Sequence, residues 1–388
     1  MYTGKHVHLR PLQPAFIMAS TGETVTYREL EARSNRLAHL FRNRGLKRLD
    51  HYSIFMENNS RYFEACGAGE RSGLYYTCVN SYLTASELAY ILTNSQSRIL
   101  ITSKEKLDVA REALKECPKV ELCIVADSES ESDRIVGLQE VTADMPHTPI
   151  ADECVGTAML YSSGTTGRPK GILRPLPELP ADQQLPLFDF LVKIWQYREG
   201  MIYLSPAPLY HSAPQAAVNL TIKMGGTVII MERFDPEHYL ALIPKWGVTH
   251  TQLVPTMFSR MLKLPEEVRT RYDLSSLEIA IHAAAPCPAA VKDDIIKWWG
   301  PIIHRRARLH RLQQRRMAGP SRHRRQGFAR RSAYSRREHA GLPGRYAGYG
   351  VVQDRLAVRI FQRSGQNPGG PFGRRQHEHG RRRRLCRR

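Results

Sequence analysis

The chain has 388 residues, 42% of them hydrophobic, and a formal charge of +20, which excludes wholesale disorder and leaves room for two or three domains. No run of about 18 apolar residues occurs, and the N-terminus lacks the charged-then-apolar order of a secretory leader, so neither a membrane span nor secretion is expected. Seven scattered cysteines without metal-ligand spacing fit a reduced, cytoplasmic setting.

The first helix signal is Thr26-Tyr27-Arg28-Glu29, a T-x-x-E capping box. Leu30, Leu37 and Phe41 follow on one face, and Gly45 supplies a stop. Thr84-Ala85-Ser86-Glu87 is a second capping box. Short β-rich runs come at 98–102 and 121–127, with a helical pattern between them and a polar loop at 127–133. Further runs at 157–161, 201–206, 225–231, 249–255 and 277–286 alternate with helical patterns such as Pro236–Trp246. Such alternation predicts βαβ units and mainly parallel sheets covered by helices, an α/β class. No sequence repeat is evident.

The charge is not evenly spread. Residues 305–388 hold 25 arginines, no lysine and three acids (Glu338, Asp354 and Glu378), a charge of +22, whereas residues 1–304 carry −2. A near-neutral globular body therefore precedes an arginine-saturated tail, and the two need separate explanations.

Tyr161-Ser162-Ser163-Gly164-Thr165-Thr166-Gly167-Arg168-Pro169-Lys170-Gly171 follows a β-like run. Its glycines allow tight turning and close approach of backbone N–H groups, its hydroxyls donate to phosphate oxygens, and Lys170 adds charge. Ser162, Ser163, Gly164, Thr165, Thr166, Gly167 and Lys170 are thus the candidate polyphosphate cradle. The spacing is not that of a Walker A loop. An arbitrary Ser/Thr/Gly cluster is more often a solvated linker; this string after a strand favours the phosphate loop.

On that string the chain resembles the adenylate-forming enzymes, and within them the fatty-acyl-CoA synthetases, over about residues 20–304. Three weaker matches follow in the family's order. Pro208-Leu209-Tyr210-His211-Ser212 is similar to a segment whose His lies beside the acyl and nucleotide pockets. Thr251–Met257, with Val254 and Pro255, is similar to the strand and helix start lining the acyl channel. Ala283-Ala284-Ala285-Pro286 is similar to the G-A-A-P segment against adenine, with Ala283 where Gly is usual. Residues 73–92 also resemble the acyl-CoA synthetase branch. Each weak match has a plainer reading: a structural His211, a turn at 282–288 that merely ends a strand, and packing roles for Tyr75, Tyr76 and Tyr82.

The resemblance implies a layered α/β N-terminal domain that is incomplete at about 304. It implies ATP, Mg²⁺ and coenzyme A as cofactors, with a carboxylic acid as partner substrate. Attack of the carboxylate on the α-phosphate would give acyl-AMP, and the thiol would then displace AMP. The family's later motifs, a [YF]-G-x-T-E segment whose Glu holds Mg²⁺, a ribose-binding G-D segment and a C-terminal catalytic domain with its adenylation lysine, do not occur in residues 305–388. No lysine follows Lys297. A shifted reading frame accounts for this: Met317 before Ala318 becomes a forced tryptophan codon, and 346–352, 359–362 and 379–387 permit family-like strings in family order. The tail is therefore expected to be disordered and the chain impaired in catalysis, with solubility reduced by exposed strand edges. The alternatives are a residual ATP- or acyl-binding module and an Arg-rich nucleic-acid-binding protein. Arginine without interleaved aromatics favours non-specific, salt-dependent polyanion binding over specific nucleic-acid recognition. Acyl-chain length and oligomeric state are left open.

Overall fold

A computed structural model describes residues 1–162, 169–183, 185–305 and 359–361. In chain order the strands are β1 (Pro14–Met18), β2 (Thr24–Thr26), β3 (His51–Phe55), β4 (Tyr75–Cys78), β5 (Ile99–Thr102), β6 (Leu122–Val125), β7 (Ile135–Gly137), β8 (Thr157–Ala158), β9 (Leu160–Ser162), β10 (Lys170–Leu173), β11 (Ile202–Ser205), β12 (Thr227–Ile230), β13 (His250–Leu253), β14 (Ile279–His282), β15 (Ile303–Arg305) and β16 (Arg359–Phe361). One sheet runs β7-β6-β5-β3-β4-β8 and is parallel throughout. A second runs β15-β14-β13-β11-β12-β1-β2 and is parallel except at β1–β2. The third, β16-β10-β9, is antiparallel.

Period-two alternation within the strands sorts side chains into layers. Phe16, Val228, Ile230, Ile279 and Ile281 of the second sheet share one central core with Tyr52, Ile54, Ile99, Ile101, Leu122 and Ile124 of the first. Helices Tyr27–Asn43, Tyr62–Arg71 and Ser212–Lys223 fill the space between the two sheets. The intervening residues Ile17, Leu204, Ile229 and Ala280 face outward onto helices Pro236–Trp246, Pro255–Leu262 and Ala289–Trp299. Phe55, Leu100 and Cys123 do the same for helices Ala85–Asn94 and Leu107–Lys115. The stack is helix, sheet, helix, sheet, helix, as expected for βαβ units with covered parallel sheets. Each buried Leu, Ile or Phe in these layers is worth about 1.5–3 kcal/mol of transfer free energy.

Local signals act as read from the sequence. Thr26 Oγ1 accepts from the Glu29 amide at 3.2 Å, and the Glu29 carboxylate accepts from the Thr26 amide at 2.8 Å. Glu87 accepts from the Thr84 amide at 2.9 Å. Leu30, Leu37 and Phe41 are buried, and Gly45 takes φ +73° just past the helix end.

The structure departs from the sequence reading at three places. The single run expected at 157–161 divides at Met159: β8 joins the first sheet and β9 the third. Helix Tyr62–Arg71 was not foreseen, because all ten of its residues are buried between two sheets and it has no polar face to betray a helical period. The tail is not without structure. Arg305 ends β15, which pairs parallel with β14, and Arg359–Phe361 pair with β10 in the register Gly171↔Phe361, Ile172↔Ile360 and Leu173↔Arg359. An Arg-Ile-Phe triplet has the β-branched and aromatic content that an available strand edge accepts. The remainder, 306–358 and 362–388, lies outside the described residues.

The two large sheets share a topology that the sequence did not display. In β7-β6-β5-β3-β4 the chain starts at β3, steps to β4, returns to the other side of β3 at β5, and then moves outward. In β15-β14-β13-β11-β12 it does the same from β11. Each unit therefore contains one point where strand order reverses, between β3 and β5 and between β11 and β13.

Candidate functional site

In an open parallel sheet the reversal of strand order leaves a crevice at the carboxyl ends of the flanking strands, because successive connections leave on opposite faces. The helix after β11 packs on the inner face and the helices after β12 and β13 on the outer face. The crevice between β11 and β13 therefore opens beside the residues that follow them. After β11 come Pro206–His211; after β13 come Val254 and Pro255; after the neighbouring β14 come Ala283–Pro286. The three weak motifs of the sequence are thus brought to one edge of one sheet. The Ala283 amide donates to the Leu253 carbonyl at 3.2 Å, tying two of them together.

Local chemistry keeps this edge open. His211 ends its loop as the residue preceding helix Ser212–Lys223, and partial burial lowers its imidazole pKa from the ordinary value. Its ring lies 4.4 Å from that of Tyr210. Pro255 opens helix Pro255–Leu262 at a position where no amide donor is needed. The adenine-like segment is a tight three-residue turn: the Ala285 amide donates to the Ala283 carbonyl at 3.0 Å, and Ala284 sits at φ +74°. A left-handed alanine costs about 1–2 kcal/mol and marks a site held by its surroundings. Ala284, Ala285 and Pro286 are exposed at that edge.

Two polar side chains that the sequence reading passed over sit at the same reversal. Ser205, the last residue of β11, and Gln252 of β13 are both buried, and Ser205 Oγ and Gln252 Oε1 have no hydrogen-bond partner among the described residues. Both lie at the strand-order reversal, where a ligand or solvent could partner them, although other buried polar atoms of the fold also lack partners among the described residues.

The phosphate-loop candidate is mounted on the other unit. β9 and β10 form a hairpin with Ser162 opposite Lys170 and Tyr161 opposite Gly171. Ser163, Gly164, Thr165, Thr166 and Gly167, together with Arg168, lie outside the described residues, as does the Ser162 side chain. Both feet are pinned to helix Ala85–Asn94: the Tyr161 hydroxyl donates to Asn94 Oδ1 at 2.7 Å, and the Tyr90 hydroxyl donates to the Pro169 carbonyl at 3.0 Å. A Cβ at Gly171 would meet the Met159 methyl and crowd the Tyr161 ring, so a larger residue there would require the Met159 side chain to shift. Tyr75 and Tyr76 are buried packing residues, as expected. Tyr82 is a correction: it is 75% exposed, standing in the loop after β4 rather than in a core. Burial, then the neighbouring Tyr82 phenol, pushes the Tyr210 hydroxyl pKa up, so the loops after β4 and β11 approach each other.

Among the described residues no group of three His, Cys, Asp or Glu side chains could hold a metal ion. Mg²⁺ is commonly held by one or two carboxylates together with a nucleotide's phosphates, so any metal here would rely on the nucleotide, and no chemical step is assigned to one. No helix among them is long and apolar enough to cross a membrane.

The comparisons agree with this geometry. The AMP-binding enzyme family matches residues 5–305. 4-Coumarate–CoA ligase 1 of Petroselinum crispum is 28% identical over 281 residues, which are 72% of this chain and 51% of that protein. The fatty acid–[acyl-carrier-protein] ligase ScoC of Streptomyces coeruleorubidus is 30% identical over 292 residues, 75% of this chain and 54% of that protein. ATP-bound MatB from Rhodopseudomonas palustris superposes with a TM-score of 0.62 at 25% identity, covering 79% of this chain and 59% of that one. The chain thus spans about half the length of these relatives, 51% and 54%. The layered α/β body matches the N-terminal domains of adenylate-forming enzymes, and the chain belongs to the AMP-binding enzyme family.

Proposed function

We propose that residues 1–305 bind ATP through the β9–β10 hairpin and an apolar carboxylic acid in the crevice between β11 and β13, as the acid-activating part of an acid–thiol ligase. The observation that carries this reading is the YSSGTTGRPKG string, with both feet of its hairpin pinned to helix Ala85–Asn94. Backbone amides of 163–167 and the Lys170 ammonium would neutralise the β- and γ-phosphates, and orientation of the carboxylate toward the α-phosphate would supply most of the acceleration. His211 and residues 254–255 would flank the acid; Ala283–Pro286 would face the adenine. Relatives named for 4-coumarate and for fatty acids support an acid with an apolar body. Coenzyme A is the thiol favoured by most relatives, with a carrier-protein thiol suggested by ScoC. The setting is cytoplasmic.

We further propose that the chain as written binds but does not turn over at ligase rates. Residues 306–388 contain no Glu in an aromatic-Gly-x-Thr-Glu context and no lysine, so this stretch supplies none of the family-like contacts made only in the transition state. A shifted reading frame near His304 remains the simplest origin of the arginine-rich stretch.

ATP titration by calorimetry, wild type against Lys170→Ala, tests the binding reading. Loss of a charged hydrogen bond predicts an affinity weaker by about tenfold or more; equal affinities would overturn it. Fatty-acid- or coumarate-dependent pyrophosphate exchange at ordinary enzyme rates would refute the impairment. Saturable, salt-resistant RNA binding with no ATP binding would favour the nucleic-acid reading instead.

A further inference from the structure

The ligand crevice belongs to the unit built on β11, yet one side chain from the unit built on β3 holds its shape. Asn58 follows β3, three residues beyond the strand's end, and is 7% exposed. Its Nδ2 donates to the Ala207 carbonyl at 3.2 Å and to the Met231 carbonyl at 2.9 Å, and its Oδ1 accepts from the Leu209 amide at 2.8 Å. Both amide hydrogens and the carbonyl are therefore used on backbone groups of the other sheet. These groups lie in the two loops that leave β11 and β12, and Leu209 is two residues from His211.

We infer that Asn58 is a positioning residue that locks the 206–211 loop, and so sets where His211 stands over the crevice. The inference rests on the reading that this loop lines the ligand site. Three arguments support it. First, the loop carries Pro206 and Pro208, which donate no amide hydrogen, so few local bonds are available to fix it. Second, the partners of Asn58 are three backbone groups from two loops, a pattern that defines a loop position in a way that a single bond to a side chain does not. Third, Asn58 and the 206–211 loop follow β3 and β11, the strands at which order reverses in each unit, so this contact is where the two crevices meet. An apolar residue here would leave three buried backbone groups unpartnered, and aspartate would keep only the bond to Leu209 while facing two carbonyls with a negative oxygen.

The test uses the whole chain and three readouts: hydrogen exchange at the Leu209 amide, NMR titration of the His211 imidazole, and ATP affinity. In Asn58→Ala the Leu209 amide should exchange at least tenfold faster. The His211 ring should titrate closer to the ordinary histidine value, and the ATP affinity should fall by about tenfold. The buried His250 imidazole in the same sheet should not move. Asn58→Asp should leave Leu209 exchange nearer wild type but still shift His211, and it serves as the second variant if the alanine variant does not fold. A role confined to stability would lower Tm in both variants with His211 titrating as in wild type, and that outcome overturns the inference. If wild type binds no ATP, the proposed function fails, while the Leu209 and His211 measurements still decide this one.

Discussion

The units built on β3 and on β11 have the same strand order and the same parallel register, but their loops are built from different residues. From 51 to 117 the chain contains no proline, and its connections are closed by side-chain caps such as Thr84 with Glu87. The loops at the carboxyl ends of the second unit carry Pro206, Pro208, Pro255, Pro286 and Pro288. No positive φ occurs in the loops following β3, β4, β5 and β6 among the described residues, whereas Ala284 after β14 is at +74°. A cap satisfies backbone groups by folding the loop onto itself. Proline removes the donor and fixes φ, so a loop can stand open without an unsatisfied amide. One topology thus serves as a support in one place and, on the proposed reading, as the rim of a ligand crevice in the other.

The largest expected effect tests whether the first unit is the support. Arg71 ends the helix after β3 and is fully buried, paired with Glu31 at 2.6 Å and Glu153 at 3.3 Å, and also bonded to Asn35. Arg71→Met strands those acids, and chemical denaturation should show a loss of about 3 kcal/mol. A loss under about 1 kcal/mol would mean that this ion cluster does not brace the first unit.

Acid should act on both units alike. Burial holds His51, at the start of β3, and His250, at the start of β13, down at about 4. Below about pH 6.5 the unfolded chain takes up a proton at each position and the folded chain does not. Stability is therefore full above that pH and declines toward pH 4, by about 1.4 kcal/mol per pH unit for each histidine. Denaturation at pH 7 and pH 5 should show the slope reduced by about that amount in His51→Gln and again in His250→Gln. If only one substitution changes it, the units differ in burial as well as in their loops.

The smallest effect belongs to the open rim. Ala284→Gly relieves the left-handed alanine and should raise stability by about 1 kcal/mol in a thermal melt. A decrease would show that the turn is not strained.

Much of this architecture was legible locally. The capping boxes, Gly45, the helix at Pro236–Trp246 and the order of β-rich runs rest on near-neighbour chemistry that a sequence displays directly. The motifs at 211, 254–255 and 283–286 were legible by order, and the sheet explains why that order matters: β11, β13 and β14 are adjacent and point the same way. What escaped had long-range causes. Helix Tyr62–Arg71 lost its period because it is enclosed on all sides. The repeated topology is carried by strand order rather than by residue identity. Tyr82 reads as one more apolar aromatic until the loop after β4 is seen to project it. Asn58 is one polar residue in the run Glu57-Asn58-Asn59-Ser60, and nothing nearby tells that its partners are about 150 positions away.

The division at Met159 has a mechanical consequence. With one residue separating β8 from β9, the β9–β10 hairpin has no slack at its root; it is cantilevered from a parallel sheet rather than hung on a tether. Tilting the hairpin would require bending that sheet or breaking the Tyr161–Asn94 bond. On the proposed reading, little of a nucleotide's binding free energy would go into immobilising the base of the hairpin.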